Sequence, residues 1–252
     1  MPIFTPEKYP ETMYQTTKTY IKPDIKMADL IFENPYQLLL LEHFGLDLVV
    51  QDKTVAQLCS ENGINEKVFI LFANLYNGFS PSANEEFDFK DIETIIGFLR
   101  NSHYYFKNDK YPEIQAYIKK LFTNNPSAEI GMIGKFFDNY FMEVSEHLDY
   151  EEGIAFPYFR SLLNSNGMES GSEKSIFSGT EYLEHHTDIE LKLADLKNLL
   201  LRHISLKNDP VNRRKLLFSL IELEYVLNIH SIIEETILIP LVLNLENKKI
   251  LG

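Results

Sequence analysis

The sequence predicts an all-α protein: an up-down bundle of four helices behind a small helical module. Three observations predict it. Apolar residues recur at intervals of three and four over long stretches, with no strand-like alternation. Joints rich in Gly, Pro and Ser separate those stretches. An 83-residue repeat also sets polar residues into the apolar stripes at matching positions.

Residues 1–25, rich in Thr, Tyr and Pro, are expected to form an extended arm, and residues 26–79 a small helical module. In the module, Leu30, Leu38, Leu41 and Phe44 mark one helix, stopped by Gly45. Thr54 caps a second, which ends before Gly63. A third, from Glu66 to Tyr76, turns Val68, Phe69, Phe72 and Leu75 inward. The stretch NGFSPSANEE marks the boundary, and the bundle occupies 86–246.

The first bundle helix is expected from about Asp88 to Leu121, with Ile92, Ile96, Leu99, His103 and Phe106 on one stripe. Pro112 should bend or restart it. The second runs from Ala128 to Asn164 and carries Ile133, Phe137, Tyr140, Val144, His147, Glu151 and Ile154. After a Gly/Ser loop, a third starts near Gly179, with Leu183, His186, Ile189, Leu193, Leu196 and Leu200 inward. Asp209-Pro210 opens the fourth, whose stripe is Leu216, Leu220, Leu223, Leu227, His230, Glu234, Ile237 and Leu241.

Composition narrows the function. The chain has 252 residues, 44% apolar and 24% charged, enough for a sizeable core. A net charge of −13 repels a phosphate backbone, and Arg213-Arg214-Lys215 is the largest basic cluster. The segment TVAQLCSENGINEKVFILFANL scans like a helix-turn-helix with Gly63 in the turn. Its second helix offers one cation, Lys67, so a DNA-reading regulator stands as an alternative rather than the main reading. A metal-free helical interaction protein is a second alternative. The single cysteine, Cys59, excludes an intramolecular disulfide framework or a thiolate metal cage and suits a reducing compartment. No signal-peptide pattern and no run of about 18 apolar residues is evident, so a cytoplasmic protein without membrane contact is expected.

The repeat points to chemistry. HLDYEEGIAFP, from His147 to Pro157, returns as HSIIEETILIP, from His230 to Pro240. On a helix, His147 stacks with Glu151 and His230 with Glu234. The same offset carries His103 to His186. Each of the four helices thus places a histidine where a leucine belongs, and two add a glutamate. A histidine on an apolar face is usually a hydrogen-bonded core residue. A single His-x-x-x-Glu is usually a surface pair worth about 0.2–0.5 kcal/mol. Six such residues in register on stripes are a different matter, because a buried carboxylate without compensation costs several kcal/mol. Two cations would compensate them. Nitrogen and carboxylate donors without sulfur suit non-haem iron or manganese, with zinc possible. Glu151 and Glu234 could bridge two irons, leaving positions for oxo, O2 or NO.

Several neighbours are set apart. His185 adjoins His186 but misses the offset, and is expected at most to support a ligand. Glu143 lies one turn before His147, with a rim or ion-guarding role. Glu152 and Glu235 point about 100° away and are expected to be solvated. His43 and His203 lack the pattern. No catalytic residue in the enzymatic sense is expected.

The arrangement resembles hemerythrin-like di-iron bundles, and most of all the repair of iron centres (RIC) family. That family's four histidines and two glutamates correspond to His103, His147, Glu151, His186, His230 and Glu234. Oxygen-carrying hemerythrins instead use a fifth histidine and an aspartate. KMADLIFENPYQLLLLEHFGLDLVVQDKTVAQLCSENGI is similar to the module preceding the RIC bundle. Where the family has a Cys-Cys pair, this chain reads Gly45-Leu46-Asp47-Leu48-Val49-Val50, without thiols. The resemblance implies an oxo- and carboxylate-bridged di-iron centre. It also implies O2, NO or peroxide as small ligands, damaged or apo iron–sulfur proteins as clients, and a monomer or homodimer.

Overall fold

The protein is described by a computed structural model over residues 18–81, 87–164, 178–179, 182, 189–204 and 209–251. Among these residues the structure is all-helical, and the only strand-like pairing is an isolated bridge between Lys26 and Thr54. The chain divides into two compact units, Met1–Glu42 with Leu46–Ala83 and His43–Gly45 with Asn84–Gly252.

The smaller unit contains α1 (Met27–Glu33), most of α2 (Gln37–His43), α3 (Val55–Asn62) and α4 (Glu66–Tyr76). The single first helix expected from the sequence is two. Asn34, forced extended at φ −140° by the proline that follows it, separates α1 from α2. Thr54 and Gln57 form a reciprocal capping box on α3, and Gly63 ends it at φ 66°, where a Cβ would be strained. The end of the expected arm is pinned by Asn74, whose side chain accepts from Ile21 N–H at 2.8 Å and donates to Ile21 C=O at 3.2 Å. Residues 1–17 lie outside the described residues.

The larger unit is built from long helical rods. α5 (Asp91–Tyr105) passes through a π turn, Phe106–Lys110, into α6 (Tyr111–Asn124). α7 (Ala128–Tyr150) passes through Glu151–Ala155 into α8 (Phe156–Asn164). α9 spans Ile189–Arg202; the upstream start expected near Gly179 is described only at Gly179 and Tyr182, both helical. α10 (Pro210–Ile233), capped by Asp209, passes through Glu234–Leu238 into α11 (Ile239–Leu251). α6 packs on α7 and α10, α9 packs on α7 and α10, and α8 packs on α5 and α11.

The π turns change which residues face inward. Each inserts one residue into the helical phase, and each is followed by a proline at the second position of the resuming helix: Pro112, Pro157 and Pro240. A proline lacks an N–H and crowds the carbonyl four residues back, so a widened turn relieves both. Ile154, expected on the buried stripe, is consequently 48% exposed, while Ala155 and Phe156 are buried.

Among the described residues, one helix passes a test of length and composition for a membrane span. Pro210–Lys249 is a continuous 40-residue helical run whose most apolar 18-residue window has mean hydropathy 1.6, long and apolar enough by composition to cross a membrane. Of that window, 61% is buried within the protein, as in a core helix.

Candidate metal centre

Both His-x-x-x-Glu segments meet the core where an α-helix widens. Glu151 and Glu234 each open a π turn, and each lies within reach of the histidine one turn earlier. His147 Nε2 is 3.0 Å from Glu151 Oε1, and His230 Nε2 is 3.0 Å from Glu234 Oε1. π turns interrupting α-helices are found mostly at functional sites, because the extra residue re-aims a side chain.

The rods then bring the segments together. His103 Nε2 lies 3.2 Å from Glu151 Oε2, and His230 Nε2 lies 4.0 Å from the same oxygen. One donor atom each from His103, Glu151, His230 and Glu234 falls within 4.8 Å of the other three, and all four residues are buried. This group could hold a metal ion. His147 sits beside it, touching the other oxygen of Glu151. His186, the remaining expected ligand, lies outside the described residues, as does His185.

The ring nitrogens are oriented from outside the group. Ser102 Oγ donates its proton to Leu99 C=O at 2.7 Å, so at 2.8 Å it must accept from His230 Nδ1–H. His103 Nδ1 lies 3.0 Å from Glu152 Oε1, and a carboxylate there can only accept. Both imidazoles therefore carry their proton on Nδ1 when neutral, which turns the lone pair of Nε2 toward the carboxylates. Lone pair against carboxylate is repulsive unless a cation lies between. Among the described residues, the buried atoms His103 Nε2, Glu151 Oε2 and His230 Nε2 have no hydrogen-bond partner of acceptable geometry. The donor set fits a cation.

The electrostatics agree. Burial alone would lift the Glu151 carboxyl, but the facing imidazoles of His103, His147 and His230 outweigh it and hold it well below its usual range. Burial would likewise depress His230. The charge of Glu234 and contacts to both glutamates outweigh that and push His230 up to about 10. In the absence of a cation, a proton on His230 balances part of the buried negative charge. The walls are aromatic: Phe156 stacks on His103 with centroids 5.6 Å apart, and Phe106 meets His230 edge-on at 5.6 Å.

Sequence reasoning missed four participants. Glu152, expected to be solvated, is half-buried and bonded to His103; Glu235 is exposed as expected. The duplication of both glutamates in the repeat was the available signal for Glu152. Ser102 offered none beyond adjacency to His103. Tyr182 lies one turn before His186 in the sequence, and its hydroxyl donates to Glu151 Oε1 at 2.5 Å. His43, set aside for lack of pattern, is fully buried in the larger unit, edge-on to Phe98 and Tyr105. Burial first, then the charges of His230 and His103, hold it down to about 3, as a neutral ring. Glu143 forms a half-exposed ion pair with Lys192, a rim position, and His203 is exposed.

A comparison with protein-family models found no match, and no curated protein matches the chain.

Proposed function

We propose that the chain is a hemerythrin-like non-haem di-iron protein, similar in plan to the RIC family. The observation that supports it most directly is the Nε2 orientation of His103 and His230. Two histidines whose outer nitrogens are committed to Ser102 and Glu152 face two buried carboxylates with their lone pairs. Hydrogen bonds from outside that fix a ligand's tautomer are the usual companions of metal-bound histidine. The ring of contacts α6–α7–α9–α10 is what an up-down four-helix bundle would make.

In this reading His103, Glu151, His230 and Glu234 would hold one cation, and His147 with Glu151 would contribute to a second, for which the family resemblance implies His186 as a further ligand. Iron bound there would supply redox chemistry with O2, NO or peroxide, or iron for transfer to damaged iron–sulfur proteins. The protein's own residues bind and orient, keep the site dry through Phe106 and Phe156, and balance charge through Glu151 and Glu234. The protein would act in the cytoplasm, in repair or in the response to nitrosative and oxidative stress.

The DNA-reading alternative is disfavoured by burial. Along α4, the would-be recognition helix, Val68, Phe69 and every residue from Leu71 to Tyr76 are buried, which leaves little of it for a groove. Iron handover through a thiol is not favoured either, since burial, then Glu66, pushes the Cys59 thiol up to about 12.

Elemental analysis of protein from iron-replete cells, together with its optical spectrum, tests the reading. About two irons per chain and near-ultraviolet oxo-to-iron bands are expected. Protein that neither retains nor takes up iron, manganese or zinc overturns it.

A further inference from the structure

Tyr182 is a buried phenol between two carboxylates that come from different rods. It is 1% exposed, and its ring packs edge-on against Phe159 at 5.8 Å. Its hydroxyl donates its one proton to Glu151 Oε1 at 2.5 Å, and the charge of Glu234 also acts on it. His147 Nε2 converges on the same Glu151 oxygen, whereas His103 and His230 face the other one. Glu151 thus presents one oxygen to each side of the site, and the phenol sits on the His147 side. Phenylalanine would keep the ring packing but remove one of the contacts that fix the rotation of the Glu151 carboxylate.

We propose that Tyr182 is a positioning residue of the metal centre: its hydroxyl clamps the Glu151 carboxylate in one orientation, so that a second cation is held beside His147 and kept toward its lower oxidation state. The inference rests on the di-metal reading above. It follows from two physical effects. A carboxylate fixed by a hydrogen bond loses less freedom when it becomes a bridge, and outer partners of this kind typically change metal affinity about 10–100-fold. A donor bonded to an anionic ligand also withdraws charge from it, which favours the less positive metal and raises the reduction potential.

The test uses the whole chain, stripped of metal and titrated anaerobically with ferrous iron. Wild type is expected to bind in two steps. Tyr182→Phe keeps the ring and its packing. It should weaken one step by about 10–100-fold, leave the other in place, and shift the iron midpoint potential to more negative values. Tyr182→Met, of similar bulk, should do the same and serves if the phenylalanine variant folds poorly. Tyr158→Phe removes a comparable phenol–carboxylate bond, to Glu246 at 2.8 Å, away from the centre and should change neither quantity. Wild-type affinities and potential in both Tyr182 variants overturn the clamp while leaving the di-metal reading intact. A tyrosinate-to-iron charge-transfer band in the ferric wild type, lost in Tyr182→Phe, also overturns it, because the phenol would then be a ligand. Wild type that takes up fewer than two cations overturns the di-metal reading itself, and the clamp with it.

Discussion

His103 donates its outer Nδ1–H to Glu152, 3.0 Å away, and turns its inner nitrogen toward Glu151, 3.2 Å away. Two successive residues of one π turn thus flank a histidine from another helix. The Glu-Glu pair of the repeat is one device with two roles.

That division of labour is testable by substitution. Glu151→Ala and Glu234→Ala should lose metal, because each removes an anionic donor from the buried group. Glu152→Ala should keep the stoichiometry but bind about 10–100-fold more weakly. Metal content after dialysis against graded chelator separates the three. Equal retention would remove the ligand assignment.

Ser102 sets the His230 tautomer, so Ser102→Ala should release it. The expected loss in metal affinity is again about 10–100-fold, with the fold intact. Zinc titration of the metal-free wild type and variant reads the outcome, and an unchanged affinity in the variant would show that the hydroxyl has no such role.

Metal-free protein should lose stability in alkali. The folded-state value for His230, about 10, lies above its unfolded value of about 6.5. Its contribution is therefore fully present below pH ~6.5 and disappears as pH rises through about 10. Glu151 acts at the other end: its depressed value gives stability above the ordinary carboxylate range, lost as pH falls. Urea unfolding of the apoprotein from about pH 2 to about pH 10 checks both. Cation binding must displace the His230 proton, so affinity should rise with pH across the same window. Calorimetry in buffers of different ionisation enthalpy would detect the released proton.

The phase shift at the second π turn makes opposite predictions for neighbouring residues. Ile154→Ser, at a half-exposed position, should change stability by about 0.5 kcal/mol or less. Phe156→Ala, at a site 1% exposed and stacked on His103, should cost about 3–5 kcal/mol. Thermal melts of the two variants suffice, and a large loss at Ile154 would mean that the helix keeps its α phase.

The sequence alone determined where the helices run and which positions carry unusual polarity. The limits of α4 and the combined span of α7 and α8 agree with expectation because caps, prolines and apolar spacing are local signals. Four of the six expected ligands form one buried group, a fifth touches it, and the sixth lies outside the described residues. Tertiary structure decided the rest. The π turns exposed Ile154 and buried Phe156, since an inserted residue is invisible to a constant helical period. The partners that orient the rings come from far away: Glu152 is 49 residues from His103, and Ser102 is 128 residues from His230. A side chain's periodicity names the face it occupies, but the atom waiting across the core belongs to another helix, and only packing chooses it.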